Sequence, residues 1–490
     1  MERLSCLQKT LAQSQLICWE IKMPQISRRD AIKIIGGAAA LVATPPALFA
    51  KEVDGVVELI AAPVSHKLHH AEDALASNLW GYNGEISGPV IKLRQGREAI
   101  IRFTNLLPEP TSVHWHGLRI ENSMDGVSGL TQQAVNPGES FVYKFTPPDA
   151  GTYWYHAHNN SWSQVARGLY GGLIVEPASG PALPEDQDHI LVIDDWRLDA
   201  NGQLDKDSLG AQMDWSHGGR LGNWLTVNGK SAPKIMLRSG AANLLRLVNA
   251  SNSRVLELDP LKFGGRIVAF DGQPVPEEPI ELHYRPLLLG PAQRVDLLIY
   301  PENPFALEEV SGQAFPFCFF ELASGATKAI GYTHPRPNDL PFPSSTDQLE
   351  FSIRMTGGAM GTLDDIYYQG EKLDMAGFQR TQQFWAFNGV ANLMEQPILA
   401  VKHGQTVSLQ IENSTAFMHA MHLHGHHFLI EDRDGDGVEH DSLWRDTFLI
   451  APRQTTRISF VADNVGKWLF HCHMLEHAAS GMNAWIEVNG

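Results

Sequence analysis

The chain contains an internal repeat, and this repeat constrains its architecture more than any other feature of the sequence. Proline, glycine, asparagine and histidine follow one another at intervals of 7, 9 and 9 residues in the first third and again in the last third. The two sets are Pro89, Gly96, Asn105 and His114, and Pro397, Gly404, Asn413 and His422. The middle third repeats only Pro233, Gly240 and Asn249, with Leu258 at the histidine position. Fixed spacing of this kind predicts three similar structural units.

The segments between these markers have the character of β-strands. Apolar or alternating runs occupy residues 99–103, 243–247 and 407–411, each preceded by a glycine. Such a run predicts a strand that is entered through a glycine turn. Short strands at regular spacing, punctuated by glycine and proline, are typical of β-sandwiches and β-barrels, so the sequence predicts an all-β fold.

A second repeat sets the domain boundaries. Proline, glycine and histidine recur at intervals of 14 and 5 residues, as Pro137, Gly151 and His156, and as Pro452, Gly466 and His471. Because 490 residues are too many for one core, we expect domains at 51–178, 179–340 and 341–490. The proline-rich stretch 335–345 is the expected linker into the third domain. Residues 355–383 show no clear strand pattern and are predicted to form a long loop.

The N-terminus has the layout of a twin-arginine signal peptide. Residues 27–33 read Ser-Arg-Arg-Asp-Ala-Ile-Lys, an apolar run covers 34–42, and Ala50 offers a small residue for cleavage. A membrane anchor is the alternative, but the run is too short to span a bilayer. We therefore expect residues 1–50 to direct export of the folded protein to the periplasm by the Tat machinery. Met23 is a candidate true start.

Charge and cysteine content exclude several classes of protein. The net charge of −17 argues against binding to nucleic acid or to an anionic membrane. No second apolar run is long enough for a membrane span. Of four cysteines, Cys6 and Cys18 lie in the leader, which leaves Cys318 and Cys472 and rules out a disulfide framework.

Histidines cluster at equivalent places in the first and third domains. The four clusters are His114 and His116; His156 and His158; His419, His422 and His424; and His471, His473 and His477. A His-x-His pair on a strand places both imidazoles on one face, because side chains alternate. Four such pairs converge only if the outer domains pack together. The sequence therefore predicts a cluster of imidazole-ligated copper ions at their interface.

Cys472 lies between two of these histidines and points to the opposite face, into the third domain. His419, His477 and Met482 are available to it there. Two histidines, one cysteine and a weak axial methionine form the ligand set of a blue-copper electron-transfer site. The first domain has Ala157 at the equivalent position and cannot build such a site. Electrons can pass from Cys472 to the cluster through the histidine on either side of it.

In these motifs the sequence resembles the multicopper oxidases, the family of laccases and bacterial cuprous oxidases, over nearly all of 51–490. The resemblance implies three cupredoxin-like Greek-key domains, the second without copper ligands. It implies four copper ions, with dioxygen and a small-molecule or metal-ion reductant as partners. Type 1 copper would take His419, Cys472, His477 and Met482; type 2 copper His114 and His422; and the type 3 pair His116, His156, His158, His424, His471 and His473. Ala420 stands where the family usually has proline, which affects no ligand.

Several alternatives to this interpretation can be weighed from the sequence. Single core histidines are common, but four pairs in register with a Cys/Met set are not. A closed zinc site would need four ligands around one ion, which this layout does not supply. A copper nitrite reductase has two domains and does not need eight paired histidines. A non-catalytic periplasmic copper-binding or scaffold protein on the same fold is the remaining alternative, although no ligand has been lost.

Reduction of dioxygen to water consumes protons, and two acids match the proton-relay positions of the family. They are Glu476, beside His477, and Asp125 after the first motif. Asp446 is expected to support the fold near the type 1 site. Residues 432–437 resemble half a calcium loop, but Leu443 stands where the last acid belongs, so a hairpin turn is favoured.

The sequence leaves the reductant open between phenols or aromatic amines and a metal ion such as Cu(I). Few methionines favour a phenol, whereas export favours a metal ion. Candidate soft ligands for Cu(I) are Met355, Met360, Met375, Met418 and Met421. Cys318 is expected to be a buried core thiol, and the remaining histidines, such as His426 and His427, to have surface or packing roles.

Overall fold

The computed structural model describes residues 49–53, 55–179, 183–276, 286–323, 331–344, 346, 348–361, 363, 365–434 and 443–490. The predicted signal peptide therefore lies outside the described residues, apart from Phe49 and Ala50. The described helices are too short and too polar to cross a lipid bilayer.

The first third of the described chain forms two facing β-sheets. Its strands are β1 (Glu52–Val53), β2 (Val56–His66), β3 (Ser77–Tyr82), β4 (Gly88–Arg94), β5 (Ala99–Asn105), β6 (Val113–His116), β7 (Ser140–Phe145), β8 (Gly151–Ala157) and β9 (Tyr170–Glu176). One sheet has the order β1-β2-β5-β7 with β3 on β2, and the other has the order β4-β9-β8-β6. Helix α1 (Ser161–Gln164) and 3₁₀ turns at Asn122–Met124 and Val165–Arg167 connect strands.

The middle third also consists of β-sheets connected by short helices, but it has three sheets. Its strands are β10 (Asp188–Trp196), β11 (Trp224–Val227), β12 (Lys234–Arg238), β13 (Asn243–Asn249), β14 (Leu256–Leu258), β15 (Arg266–Phe270), β16 (Gln273–Pro274), β17 (Leu287–Leu289), β18 (Arg294–Ile299), β19 (Phe305–Glu309) and β20 (Phe315–Ala323). They form sheets β11-β10-β13-β18-β15-β16, β12-β20-β19 and β14-β17. Helix α2 (Gln212–Ser216) and 3₁₀ turns at Lys206–Ser208 and Pro260–Phe263 lie between them.

The last third is also made mainly of β-strands. Its strands are β21 (Leu349–Gly357), β22 (Tyr367–Tyr368), β23 (Glu371–Lys372), β24 (Trp385–Phe387), β25 (Leu399–Lys402), β26 (Thr406–Asn413), β27 (His419–Leu423), β28 (Phe428–Arg433), β29 (Trp444–Arg445), β30 (Thr447–Ile450), β31 (Thr455–Val461), β32 (Gly466–Cys472) and β33 (Asn483–Asn489). They form sheets β24-β21-β26-β31-β28-β29, β25-β33-β32-β27-β30 and β22-β23. Helices α3 (Met375–Thr381) and α4 (Leu475–Ala479) lie beside them.

The repeat in the sequence corresponds to a repeated pairing of strands in the structure. The predicted strands are β5, β13 and β26, and each pairs in parallel with an earlier strand, β2, β10 and β21 respectively. The preceding glycines, Gly96, Gly240 and Gly404, have φ values of 72°, 65° and 79°. A side chain would strain these turns, so glycine is required for the chain to reverse there. The second repeat is structural as well, because Gly151 begins β8 and Gly466 begins β32. The all-β prediction is confirmed.

Each third has its own apolar core. Separate buried clusters span residues 57–175, 191–320 and 353–488. A fourth cluster joins side chains of the first and middle thirds, among them Trp154 and Ile190, and reaches Leu475 in the last. The thirds therefore pack through apolar contacts, which carry most of the stabilising free energy. The boundaries at 178/179 and 340/341 stay predictions.

The long loop expected at 355–383 is wrong in part. Strand β21 continues to Gly357, and β22 and β23 form a hairpin around Gln369 and Gly370, both with positive φ. Helix α3 follows, capped by Asp374, whose side chain accepts from the Gly377 N–H at 2.7 Å. Glycine in a two-residue turn and aspartate at a helix N-cap are both signals that a sequence carries. Farther along, β28 and β29 pair antiparallel, as a hairpin requires, but 435–442 lie outside the described residues.

Candidate metal centre

Equivalent strand pairs present histidines in the first and last thirds. Across β6 and β8, His114 lies opposite His156, and across β27 and β32, His422 lies opposite His471. Directly opposed residues of an antiparallel pair project to the same face of the sheet. Alternation along β6 brings His116 to that face too, while the residue between the two histidines, Trp115, packs into the core of the first third.

Imidazoles from the two strand pairs stack on one another between the outer thirds. The ring centroids of His116 and His422 are 3.8 Å apart, and those of His114 and His424 are 3.9 Å apart. The resulting group, called the histidine cluster below, consists of His114, His116, His156, His158, His422, His424, His471 and His473. The structure thus brings together all eight paired histidines that the sequence singled out.

The cluster contains buried nitrogen atoms without a hydrogen-bond partner among the described residues. They are His114 Nε2, His422 Nε2, His116 Nδ1 and His473 Nδ1. The Nδ1 atoms of His114 and His422 lie 2.7 and 2.8 Å from the carbonyl oxygens of Asp125 and Asp446. A carbonyl only accepts, so each Nδ1 must carry the proton, which leaves a bare lone pair on each Nε2. Inward-facing lone pairs of this kind fit a bound metal ion.

The other histidines form one group of three converging nitrogens and one close pair with a third ring beside it. His424 Nε2 is 3.2 Å from His471 Nε2, and His158 completes a set whose nitrogens lie within 4.8 Å of one another. In the second group, His156 Nε2 is 3.4 Å from His473 Nε2. The ring of His116 lies 5.0 Å from that of His473, between centroids. Neutral imidazoles that approach so closely can share one cation between their lone pairs.

Burial favours the neutral form of seven of these imidazoles. Desolvation, followed by the charges of neighbouring histidines, holds the pKa well below the ordinary value of 6.5 for His116, His156, His158, His422, His424 and His473. For His471, burial lowers the pKa to about 4. A neutral imidazole is the form that binds a metal ion, so the cluster is preset for ligation at neutral pH.

A second group of ligand atoms lies on the other face of β32. Cys472 Sγ is 3.6 Å from His419 Nδ1 and 3.8 Å from His477 Nδ1, and those two nitrogens are 3.0 Å apart. Met482 lies in the same core and shares a backbone hydrogen bond with Cys472 of 3.1 Å. These four residues, called the thiol site below, have no more than 1% of their surface exposed. Burial raises the pKa of the Cys472 thiol to about 12, so its thiolate requires a cation beside it.

A segment of the middle third closes the thiol site. Residues 212–217, called the cap below, offer three successive carbonyl groups to donors of the last third. Trp215 O accepts from Trp385 Nε1 at 2.7 Å and from Ser480 Oγ at 3.0 Å. Ser216 O accepts from the Ala359 N–H at 2.8 Å, and His217 O accepts from His477 Nε2 at 2.6 Å.

The outer nitrogen of the other imidazole in the thiol site is also engaged. His419 Nε2 lies 2.9 Å from Thr415 Oγ1. The Trp385 ring packs on both histidines, with centroids 5.1 Å from His419 and 4.4 Å from His477. Both ring nitrogens that face away from Cys472 are therefore occupied by protein groups, which fixes the rings with Nδ1 toward the sulfur.

The two acids singled out from the sequence are both buried. Asp125 Oδ2 is 3.0 Å from His424 Nδ1, so this carboxylate touches the histidine cluster directly. Glu476 accepts from Asn252 Nδ2 at 2.8 Å and from Ser253 Oγ at 3.2 Å, both in the middle third. Burial raises the pKa of Glu476.

Asp446 is not placed where the sequence interpretation put it. Its carboxylate lies beside the histidine cluster, 3.3 Å from His116 Nε2, instead of near the thiol site. The reason is register: β27 pairs with β30 so that His422 faces Thr447, which brings the preceding Asp446 against the imidazoles. His426 and His427 are buried in packing roles, and Cys318 is a fully buried core thiol whose pKa burial raises.

Comparison with known proteins agrees with this geometry. The family described as multicopper oxidase matches residues 64–180 and 368–490. A multicopper oxidase from Pseudomonas thermotolerans has 30% sequence identity and a TM-score of 0.76, over 90% of this chain and 100% of that one. Lac15, from a marine microbial metagenome, has 33% identity and a TM-score of 0.67, over 88% and 99%.

Among curated proteins, the multicopper oxidase MmcO of Mycobacterium tuberculosis is 28% identical over 438 residues, which is 82% of this chain and 81% of that protein. Fold and similarity together define a copper-dependent oxidoreductase built from cupredoxin-like domains. The chain belongs to the multicopper oxidase family.

Proposed function

We propose that the chain removes electrons singly from a reductant at the thiol site and uses them to reduce dioxygen to water at the histidine cluster. The observation that carries this proposal is the position of Cys472 between His471 and His473. One strand end thus contributes to both sites, with Sγ on one face and two imidazoles on the other. The backbone between them is a short covalent path for electrons.

Four copper ions are assigned to these sites by nitrogen grouping and family resemblance. The type 1 ion belongs to the thiol site, and the type 2 ion to the free Nε2 atoms of His114 and His422. One type 3 ion belongs to His158, His424 and His471, whose nitrogens converge. The other belongs to the close pair of His156 and His473 with His116 beside it. Bound there, copper supplies the one-electron redox chemistry and the place where dioxygen is reduced. The protein holds neutral imidazoles and excludes water around them.

Protons for water formation are assigned to Asp125 and Glu476. Asp125 contacts His424, and its Oδ1 lies 3.3 Å from His114 Nδ1. Its carboxylate therefore touches one histidine from the first third and one from the last third. Glu476 follows the ligand His473 by three residues and bonds to Ser253 of the middle third. Burial raises the pKa of Glu476, which favours its protonated form more than in an exposed carboxyl, and a carboxyl group can pass such a proton on.

The closed thiol site favours a reductant that gives up its electron without touching a ligand. His477 Nε2 already donates to His217, so a phenol could bond to that imidazole only if the cap moved away. Met213 and Met360 are 59% and 54% exposed, and Ala359, next to Met360, bonds to the cap. Thioethers are soft ligands, so a metal ion such as Cu(I) held there is the first candidate reductant, and a phenol is the second.

A non-catalytic copper-binding or scaffold protein is the alternative function, and oxygen uptake separates the two. Copper-loaded protein would be supplied with Cu(I) and, separately, with a simple methoxyphenol in an oxygen electrode. Fast uptake with Cu(I) and little with the phenol supports a metallo-oxidase, and the reverse supports a laccase. No uptake with either reductant by fully loaded protein would contradict oxidase function with both candidate reductants. We also propose that the predicted signal peptide directs export of the protein to the periplasm.

A further inference from the structure

None of the described residues of the middle third belongs to the histidine cluster or the thiol site, but this third places an arginine next to the histidine cluster. Arg294, at the start of β18, has none of its side chain exposed. Its Nη1 and Nη2 atoms donate to the two carboxylate oxygens of Asp446, at 2.8 and 2.5 Å. A two-point contact of this kind fixes the plane of the carboxylate as well as its charge.

Asp446 in turn contacts the cluster. Its Oδ1 is 3.3 Å from His116 Nε2 and accepts from Thr447 Oγ1 at 2.8 Å. Thr447 Oγ1 also lies 3.2 Å from His116 Nε2 and 3.1 Å from His422 Nδ1. A proton on His116 Nε2 is therefore bonded outward, and the lone pair on Nδ1, which has no partner, faces inward.

The same carboxylate is close enough to act as a ligand itself. Asp446 lies with His116 and His422 in a set of atoms that are all within 4.8 Å of one another. Because both of its oxygens accept hydrogen bonds from Arg294, Asp446 is held as an acceptor for a histidine N–H. Without the arginine, the buried carboxylate would need another cation, and a cation held by this set would bind His116 through Nε2 instead of Nδ1.

A second arginine of the middle third provides a matched comparison. Arg246 also makes a two-point contact, with Asp188 at 2.6 and 3.0 Å, and a further bond to Asp296. Like Arg294, it reaches Thr152 of the first third. The hydrogen-bond partners described for Arg246 include no histidine. Both arginines therefore tie the thirds together, but only Arg294 is connected to the cluster through a carboxylate.

We propose that Arg294 is a positioning residue for the copper-binding histidine cluster: by holding Asp446 as the acceptor of the His116 Nε2–H, it keeps His116 Nδ1 free for the metal ion. This inference rests on the proposed function. By this inference, the middle third helps to orient a histidine ligand of the cluster.

The test compares Arg294→Lys with Arg246→Lys in the full-length, copper-loaded protein. Copper per chain, the electron paramagnetic resonance signal of type 2 copper and the near-ultraviolet band of the coupled pair report on the cluster. The blue thiolate band reports on the thiol site. We expect Arg294→Lys to alter the cluster signals and to lower kcat roughly 10–100-fold. The blue band and the KM for the reductant should not change, and Arg246→Lys should preserve all of these properties.

Asp446→Asn serves as a second variant in case Arg294→Lys does not fold, because it keeps the arginine and the side-chain shape. It should alter the same cluster signals. Equal spectra in Arg294→Lys and the unmodified protein, or equal changes in both arginine variants, would reduce Arg294 to an interdomain contact. Unmodified protein that binds no copper would overturn the proposed function as well, so the two failures are distinguishable.

Discussion

The Nε2–H of His477 donates to the backbone carbonyl of His217 at 2.6 Å, which ties a predicted type 1 copper ligand to the middle third. The same cap accepts bonds from Trp385, Ser480 and Ala359 around that site. The thiol site is therefore covered by a segment that comes from a different part of the chain. We expect the cap, as well as the ligands, to determine which reductants the site accepts.

Loosening the cap should widen the range of reductants. Helix α2 is anchored by Asp214, whose carboxylate accepts two bonds from Arg197 at 2.8 and 2.9 Å. We expect Asp214→Ala to raise kcat/KM for a methoxyphenol roughly threefold, which corresponds to about 0.7 kcal/mol. The blue band should stay, since no ligand changes. Steady-state oxygen uptake measures this effect.

Asp186→Ala is the control for that variant, because it removes an aspartate that bonds to Arg238 at 2.6 Å, elsewhere in the middle third. It should leave phenol turnover unchanged. The same rise in both variants, or no rise in Asp214→Ala, would show that the cap does not limit access.

The two buried cysteines should behave oppositely. Cys472→Ser removes the thiolate between the two sites, so the blue band should vanish and kcat should fall at least ~1,000-fold, equivalent to about 4 kcal/mol. Cys318→Ser changes a thiol in the core of the middle third and should cost only stability. Absorption spectra measure the blue band, and oxygen uptake measures kcat. A Cys472→Ser protein that is still blue would refute the ligand assignment.

Asp125 should matter for dioxygen reduction but not for binding of the reductant. Its carboxylate accepts from His424 Nδ1 at 3.0 Å, and Asp125→Asn keeps the shape while weakening the acceptor. We expect kcat to fall roughly 10–100-fold with an unchanged KM for the reductant. Asp149→Asn, at a buried aspartate that pairs with Arg119, is the matched control. A rise in KM for the reductant without loss of kcat would show that Asp125 acts in binding of the reductant instead of in dioxygen reduction.

Acid should destabilise the copper-free protein. Burial lowers the pKa of His471 and of His477 to about 4, whereas the unfolded chain keeps the ordinary value of 6.5. The unfolded state thus binds more protons between these values, and stability falls as pH drops from about 6.5 to about 4. Each group contributes up to about 3 kcal/mol. The Tm of copper-free protein followed from pH 7.5 to 4.5 should drop, and a flat profile would contradict neutral burial.

Much of the histidine cluster could be predicted from the sequence because strand geometry is local. Alternation puts His114 and His116 on one face, and the repeat puts His422 and His471 in the equivalent place. Cys472 follows from the same rule. These residues needed only the period of a strand and the register of a repeat.

The cap and Arg294 could not be found in this way. His217 lies 260 positions before His477 in sequence, and Arg294 lies 152 positions before Asp446. Such contacts depend on how the thirds pack, which no local period encodes. His217 also contributes a backbone carbonyl, so its residue type carries no signal. The hairpin turn at Gly370 and the N-cap residue Asp374 of α3 could have been predicted from the sequence, but the sequence interpretation missed both.

The most direct test of the account is copper per chain measured together with absorption and paramagnetic resonance on the same sample. We expect four copper ions per chain, a blue thiolate band that Cys472→Ser abolishes, and a type 2 signal that survives this substitution. A protein that binds a single copper ion, or none, with the histidine cluster intact would contradict this expectation.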